Sequence, residues 1–300
     1  MKTNILITGG HGFIGKHTCD ALRNVDNQLI TWDIRPTTTV NTHQFIGHLL
    51  NPEIPEQIAE HYKQIDYIIH LAAQISVPES NKNKELYFYS NVLGTQKIIE
   101  LARRFKTKRI VFASSCSVFG EDGSGTSLND CKSYYAETKK MSELLLQFSE
   151  IETVILQYFN VYGYGQKSIT GAAIPNFIDK IRNKQPIDVY GDGNQIRDFV
   201  YVKDVAQANK KALTNKMEYE NGIDIFEVGT GNFISIKDTI QEIATQLKLS
   251  YNCNFLPKRD GDIHGFIAGK DETFDWSPKY SFKDGIKEMI EEIDYDLPKI

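Results

Sequence analysis

The sequence predicts an α/β protein built on a doubly wound parallel sheet, with a smaller C-terminal α/β lobe added to it. Three observations carry this expectation. Short apolar runs alternate with helical patterns through the first half of the 300 residues, the arrangement of buried strands joined by crossover helices. A glycine-rich loop stands between the first apolar run and the first helix. After about residue 165 the alternation stops, and glycines, prolines and short amphipathic pieces replace it.

The first strand, residues 4–8, contains Ile5-Leu6-Ile7 and runs into Thr8-Gly-Gly-His-Gly-Phe-Ile-Gly15. A helix is expected at 13–23. Gly10, Gly12 and Gly15 fit one dinucleotide spacing, and Gly9, Gly12 and Gly15 fit a looser one. Both require a tight turn after a buried strand, a bare backbone facing a pyrophosphate, and a helix packed closely on its strand. The first helical N–H groups, with the positive end of the helix dipole, then hold the anion. Asp33 lies 18 residues beyond Gly15, at the end of the run Leu29-Ile30-Thr31-Trp32. That is the context the motif demands. A Rossmann-like, dinucleotide-binding fold follows. The Asp33 carboxylate suits ribose hydroxyls and repels a 2′-phosphate, favouring NAD over NADP. Arg35 and His11 are near enough in sequence to soften that preference by meeting a phosphate.

Further strands are predicted at 28–33, 66–71, 109–114 and 153–158, with helices at 55–64, 86–105 and 135–148. The strand through Val111 ends in Ser114-Ser115, at the carboxyl edge where such sheets bind ligands. Beyond it, helical regions are expected at 179–184, 202–213 and 236–247. The predicted organisation is an NAD-binding domain at 1–165, with later returns to the sheet around 199–213 and 225–240. Residues 166–300 form mainly a substrate-binding lobe, and the cleft between the two is the expected substrate site.

Composition narrows the class. A formal net charge of −5 argues against a general nucleic-acid binder. The basic run from Arg103 to Arg109 falls where a helix should end, so it reads as favourable charge at a helix C-terminus. Four cysteines, Cys19, Cys116, Cys131 and Cys253, show no metal-ligand spacing and fit reduced thiols. With no signal-like or membrane-spanning run, the expectation is a cytoplasmic protein with no membrane partner and no metal.

Tyr135-Ala-Glu-Thr-Lys139 places a phenol and an ammonium on one helix face. The cation is expected to pull the phenol pKa downward, towards use as a general base. Such a pair alone is weak evidence. Ser115 strengthens it, because hydroxyl, phenol and ammonium converge at one sheet edge.

Together the glycine-rich loop, Ile68-Ile-His-Leu-Ala-Ala73, Asn91-Val-Leu-Gly-Thr95, Ser114-Ser115…Val118-Phe119-Gly120 and Tyr135…Lys139 resemble the extended short-chain dehydrogenase/reductase family. More narrowly, the chain is similar to its NAD-dependent nucleotide-sugar epimerase/dehydratase branch, nearest to UDP-sugar 4-epimerases. The likeness continues through Tyr158-Phe-Asn-Val-Tyr-Gly163, the stretch from Tyr190 to Val202, and Arg259-Asp-Gly-Asp262. The resemblance implies Tyr135 as catalytic base, Lys139 as its tuner and Ser115 on the reacting sugar hydroxyl. It implies a cofactor site from Gly9, Gly12, Phe13, Ile14, Gly15, Asp33, Leu71, Ala72, Ala73 and Asn91, with Tyr135 and Lys139. Substrate contacts would be Ser115, Asn160, Arg197, Arg259 and Phe266, the two arginines on the diphosphate. A homodimer through the 86–105 and 135–148 helices is also implied.

Departures from the family pattern refine the activity. Where 4,6-dehydratases carry an Asp-Glu pair and decarboxylases a glutamate, this chain has Cys116-Ser117, which supplies no carboxylate for eliminating water. Cys116 reads as a buried structural cysteine, since a strand's alternation would turn it away from the site; a 3,5-epimerase acid/base is its rival role. His48-Leu49-Leu50-Asn51 stands where relatives often have an adenine-contacting aspartate. The expected activity is C4 epimerisation of a nucleotide-diphosphate sugar through a 4-keto intermediate. A nucleotide-sugar reductase or dehydrogenase is the nearest alternative, and a non-catalytic NAD-binding sensor the alternative of another class. The resemblance also implies that Phe266, seven positions after Arg259, walls the pocket beside the sugar C2 substituent, as the residue there does in the epimerases. Its bulk favours the UDP-glucose/UDP-galactose type over N-acetylated sugars.

Overall fold

The computed structural model describes residues 2–39, 41–120, 128–167, 172–218, 222–258 and 265–296. In chain order, the first elements are β1 (Thr3–Thr8), α1 (Phe13–Leu22), β2 (Asn27–Asp33), β3 (His43–Ile46), α2 (Glu53–His61) and β4 (Tyr67–His70). Then come α3 (Val77–Lys82), α4 (Lys84–Tyr87), a π-helical segment (Phe88–Leu93), α5 (Gly94–Phe105), β5 (Arg109–Ser115), a 3₁₀ turn (Cys116–Phe119), α6 (Tyr134–Gln147) and β6 (Thr153–Tyr158). The second half contributes β7 (Asn160–Tyr162), α7 (Ala173–Arg182), β8 (Ile187–Tyr190), β9 (Ile196–Arg197), β10 (Phe199–Tyr201) and α8 (Val202–Ala212). It ends with β11 (Ile223–Val228), β12 (Ile234–Ser235), α9 (Ile236–Leu247), β13 (Cys253–Leu256) and α10 (Phe282–Asp296).

Seven strands form one sheet in the order β11-β6-β5-β4-β1-β2-β3. The pairings from β6 to β3 are all parallel. The order reverses between β1 and β4, so the carboxyl ends of these two strands flank the switch point where doubly wound sheets bind ligands. Strands buried on both faces need continuous apolar runs rather than alternation, and β1 and β4 supply them: Leu6, Ile7, Ile68 and Ile69 have no accessible surface. One core cluster joins Leu6, Ile30, Ile68, Ile110 and Ile155 to Ile98, Leu101 and Phe105 of α5. Burying each such side chain contributes about 1.5–3 kcal/mol before the entropy of ordering it.

The chain divides into two compact units. The first contains Met1–Tyr158, Val205–Glu227 and Asp271–Trp276, and the second Phe159–Asp204, Val228–Lys270 and Ser277–Ile300. The first unit stops at Tyr158, ahead of residue 165, because β7 pairs with β10 in register Asn160–Phe199 and so joins the second unit. Within that second unit, Tyr162, Ile174, Phe177, Tyr201, Ile240, Ile286 and Met289 share a separate core.

Several elements lie outside the sequence expectations, α3, β8, β9 and β13 among them, and three others show why. β3 buries only Phe45 among its four residues, too little for a period to register. The predicted 86–105 helix is divided by the π-helical turn at Phe88–Leu93. α10 buries Gly285, Ile286, Met289 and Ile290, where a glycine against the Tyr162 hydroxyl weakens the helical signal. The basic run behaves as expected: α5 ends with Lys106 at φ 51°, and Arg104 forks onto Glu56 at 2.6 and 2.8 Å. Among the described residues, no helix is long and apolar enough to cross a membrane.

Candidate active site

The glycine-rich loop is built by backbone proximity. Gly9, at φ +67°, donates its N–H to the Trp32 carbonyl at 2.9 Å. A Cβ on Gly9 would sit 2.8 Å from the Ala72 nitrogen, and one on Gly15 would sit 2.1 Å from the Gly9 carbonyl oxygen. Any side chain at either place would force β1, β4 and α1 apart. Gly12 caps α1 with no side chain closing its N–H groups, and no acidic residue occupies the first turn. Phe13, Ile14 and Gly15 thus present open backbone donors under the positive end of the helix dipole, which fits a pyrophosphate.

Asp33 ends β2. Its Oδ2 accepts the His11 N–H at 3.0 Å and its Oδ1 accepts the Arg35 N–H at 3.2 Å. The His11 ring is engaged at both nitrogens, by the Arg35 carbonyl at 2.5 Å and the Thr31 hydroxyl at 2.8 Å. That arrangement ties His11 to the strand tip and leaves Asp33 as the anionic feature there, which suits ribose hydroxyls.

Leu71, Ala72 and Ala73 follow β4 at the switch point. Leu71 N–H reaches the Thr8 carbonyl at 3.1 Å and Ala72 N–H the Thr8 hydroxyl at 3.3 Å. Asn91 lies in the π-helical turn, a device common at functional sites. It is 2 % exposed; its carboxamide brackets Gln74, accepting the N–H at 2.8 Å and donating to the carbonyl at 3.0 Å. It also donates to the Thr138 hydroxyl of α6 at 3.0 Å. Asn91 therefore fastens the loop after β4 to the helix that carries Tyr135 and Lys139.

Ser115 and Tyr135 come together at the end of β5, while Lys139, one turn further along α6, turns to the backbone of that strand. Ser133 caps α6 by accepting the Ala136 N–H at 3.2 Å, which starts the helix just before the phenol. Ser115 and Tyr135 hydrogen-bond to each other, and Ser115 Oγ accepts the Ser117 N–H at 3.2 Å. Lys139, buried, donates from Nζ to the Ala113 carbonyl at 2.7 Å and lies 5.0 Å from the Phe112 ring centre.

The electrostatics correct one expectation. Burial pushes the Tyr135 phenol up to about 12, against the lowering effect of the Ser115 hydrogen bond. Desolvation of the phenolate outweighs that hydrogen bond. Burial likewise lowers the Lys139 ammonium to about 8, while Glu143 acts in the opposite direction. Cys116 also differs from its reading: it stands in the 3₁₀ turn after β5 rather than in a strand. Strand alternation does not turn it away; it is half-buried, and its charged form would raise the phenol further.

In the second unit, a cavity of about 360 Å³ is lined by Asn160, Gln166, Asp188, Tyr190, Gln195 and Arg197, among others. Asn160 Nδ2 donates to the Asp198 carbonyl at 3.1 Å, and Arg197 Nη1 to the Ile196 carbonyl at 2.7 Å. α7 begins at this cavity with an uncapped N-terminus. Arg259 lies outside the described residues. Phe266, half-buried, follows Gly265, whose hypothetical Cβ would meet the Ile196 carbonyl at 2.2 Å. Two residues further on, the Ala268 N–H reaches Asp198 Oδ2 at 3.1 Å. Phe266 is thereby held along the strand that carries Arg197.

Two buried carboxylates near these residues escape a reading by motif. Asp198, wholly buried, also accepts Thr230 N–H at 2.8 Å and Gly231 N–H at 2.9 Å; its position directly after Arg197 was the available signal. Glu143, wholly buried, lies four residues beyond Lys139, and a carboxylate on an otherwise buried helix face was the clue.

The lowered Lys139 value carries a stability signature. Between about 8 and 10.5, the unfolded chain holds this proton and the folded chain does not, so stability from this group rises with pH across that window. Wild type should gain on Lys139→Met by up to about 1.4 kcal/mol per pH unit there. Urea unfolding at several pH values checks this, and parallel profiles for the two proteins would refute the lowered ammonium.

The sequence and fold are similar to those of known proteins. Residues 5–229 match the model of the NAD dependent epimerase/dehydratase family. A putative UDP-glucose 4-epimerase of Methanocaldococcus jannaschii is 34 % identical, covering 95 % of this chain and 97 % of the relative. A UDP-glucose 4-epimerase of Thermotoga maritima, solved with UDP-glucose, superposes with a TM-score of 0.89 at 26 % identity, covering 98 % of this chain and 100 % of the other. A UDP-N-acetylglucosamine 4-epimerase of Methanobrevibacter ruminantium, solved with UDP-N-acetylmuramic acid, gives 0.87 at 28 % identity, covering 99 % and 100 %. On its sequence, its fold and the residues at its sheet edge, the chain belongs to the NAD dependent epimerase/dehydratase family of enzymes.

Proposed function

We propose that this protein is a UDP-sugar 4-epimerase, acting on the UDP-glucose/UDP-galactose pair or the matching hexuronate or pentose pair. The observation that carries the reading is the hydrogen bond between Ser115 and Tyr135, one helical turn from the buried Lys139. Gly9, Gly12, Phe13, Ile14, Gly15, Asp33, Leu71, Ala72 and Ala73 would hold NAD, with Asn91 keeping the Leu71–Gln74 loop in place. When bound, NAD⁺ supplies a reversible two-electron acceptor for the sugar C4 carbon.

The chain's own groups supply the proton chemistry. Tyr135 takes the proton of the C4 hydroxyl and returns it after the 4-keto sugar has turned over. Its phenol resists ionisation, so the Lys139 ammonium and the Ser115 hydroxyl serve to stabilise the charge that forms on it. Asn160, Arg197 and Arg259 would keep the nucleotide fixed while the sugar swings. Arginine suits a diphosphate because its planar fork donates two parallel hydrogen bonds and keeps its charge. Cys116 and Ser117 supply no carboxylate, which disfavours elimination of water.

The reading extends to assembly and place: a cytoplasmic homodimer formed through α4 to α6. Leu86 and Tyr89, 37 % and 44 % exposed, support a partner on that side. A monomeric mass by light scattering would refute it.

Tyr135→Phe should keep its fold and NAD affinity while turnover falls by about two to four orders of magnitude. Conversion of UDP-glucose without added NAD, followed by separating the two sugars, is the assay. Near-wild-type conversion by the variant would remove Tyr135 from the mechanism, and a strict need for stoichiometric cofactor would favour a reductase.

Phe266 sets the second test. A phenyl ring against the sugar C2 position leaves little room for an acetamido group. Comparing kcat/KM on UDP-glucose and UDP-N-acetylglucosamine should show wild type preferring the former, and Phe266→Ser should gain on the latter by about tenfold or more. An unmutated enzyme that prefers the N-acetylated pair, as the name of the Methanobrevibacter protein describes for that relative, would sink the assignment.

A further inference from the structure

Glu143 is a wholly buried carboxylate that the proton chemistry above does not use. Its Oε1 accepts the Ser114 hydroxyl at 2.5 Å and the Gln157 amide at 2.9 Å. Among the described residues its Oε2 has no hydrogen-bond donor, and Lys140 Nζ lies 3.4 Å from it. A buried carboxylate left half-satisfied is costly, and a hydrophobic residue of similar size would serve packing better. Its position suggests what the charge is for. Glu143 lies one turn beyond Lys139 on α6, a spacing that puts both on one helix face. Through Ser114 it also holds the end of β5, whose next residue is Ser115.

Among the described residues, the titratable and charged groups around this point on α6 are Tyr135, Glu137, Lys139, Lys140 and Glu143, and Tyr87 of α4 acts on the phenol. From β4 comes His70, which burial and Lys139 hold neutral at about 3. From the 3₁₀ turn comes Cys116, beside the phenol, and from the segment before α6 comes Cys131, which Glu143 and Lys140 influence in opposite directions. His70 is therefore uncharged at neutral pH. The carboxylate acting on Lys139 is Glu143, and it opposes the desolvation that would discharge the ammonium.

We propose that Glu143 is a positioning residue of this site: its buried carboxylate keeps the Lys139 ammonium charged and, through Ser114, fixes the strand end that carries Ser115. This rests on the reading in which Tyr135 and Lys139 perform the proton chemistry. Without Glu143, Lys139 would lose its proton at lower pH, and the phenolate would lose its support on the alkaline side.

The test separates charge from scaffolding. Glu143→Gln keeps the volume and one acceptor but removes the charge. The Lys139 ε-carbon resonance, followed by NMR in ¹³C-lysine-labelled protein and assigned with Lys139→Met, should titrate about one pH unit lower in Glu143→Gln than in wild type. The alkaline limb of kcat should move with it, a loss of about tenfold at pH 9 against little change near pH 6.5. Ser114→Ala, which leaves the charge, should lower kcat at every pH without moving the limb. Should Glu143→Gln not fold, Glu143→Asp, which draws the carboxylate back by one methylene, should shift the resonance in the same direction by less. An unmoved Lys139 titration in a folded Glu143 variant overturns the proposal. The titration is read without turnover, so it decides the point even if Tyr135→Phe stays active and the wider reading fails.

Discussion

The close approach of two backbones at the switch point is the constraint on which the cofactor side of the first unit depends. Gly9 can touch Ala72, and Gly15 can touch Gly9, only because none of the meeting positions of the loop carries a side chain. A buried polar chain starts at that contact. The Thr8 hydroxyl meets His70 Nδ1 at 2.7 Å, His70 Nε2 meets the Thr95 hydroxyl at 3.1 Å, and Thr95 donates to the Asn91 carbonyl at 2.7 Å. Ser142 of α6 donates to that same carbonyl at 3.1 Å. Each buried donor has an acceptor along this line, which gives it one low-energy arrangement. The loop that would hold a pyrophosphate and the helix that carries the phenol are thus parts of one hydrogen-bonded assembly.

The second unit is organised on a different principle. There a single carboxylate, Asp198, gathers backbone N–H groups from Thr230, Gly231 and Ala268. Gly229 must lack a side chain because a Cβ would fall 2.7 Å from that carboxylate. Arg197 and Asn160 sit on either side of this hub, in sequence and in strand pairing respectively, so two of the groups read as substrate contacts rest on strands rather than loops.

How much of this was legible depended on the length scale of the signal. The parallel sheet and the glycine loop could be read because their residues lie close in sequence or recur with a period, and the meeting of Ser115 with Tyr135 because one ends a strand and the other opens a helix. β6 was read to the residue, because Thr153 to Tyr158 is buried throughout. The π-helical turn could not be read, since one extra residue per turn leaves composition unchanged. The direction of the phenol shift was misread for a related reason: the i,i+4 lysine is visible in sequence, whereas the desolvation that raises the phenol is a sum over distant packing atoms. Cys116 was misread because strand alternation was applied beyond the strand, where a 3₁₀ turn begins.

The threading of the chain has a consequence for how the protein is made. The first unit is assembled from three separated stretches of sequence. β6 receives its outer neighbour, β11, only after the whole of β7 to α8 has been synthesised. Phe274 then stacks on Phe226 at 4.5 Å, and Lys211 pairs with Asp275. A nascent chain emerging from the ribosome must carry β6 as an open edge while more than sixty further residues are added, an exposure that invites pairing with other chains. Completion of this sheet is therefore a late event in synthesis, governed by long-range closure rather than by the early formation of its first strands.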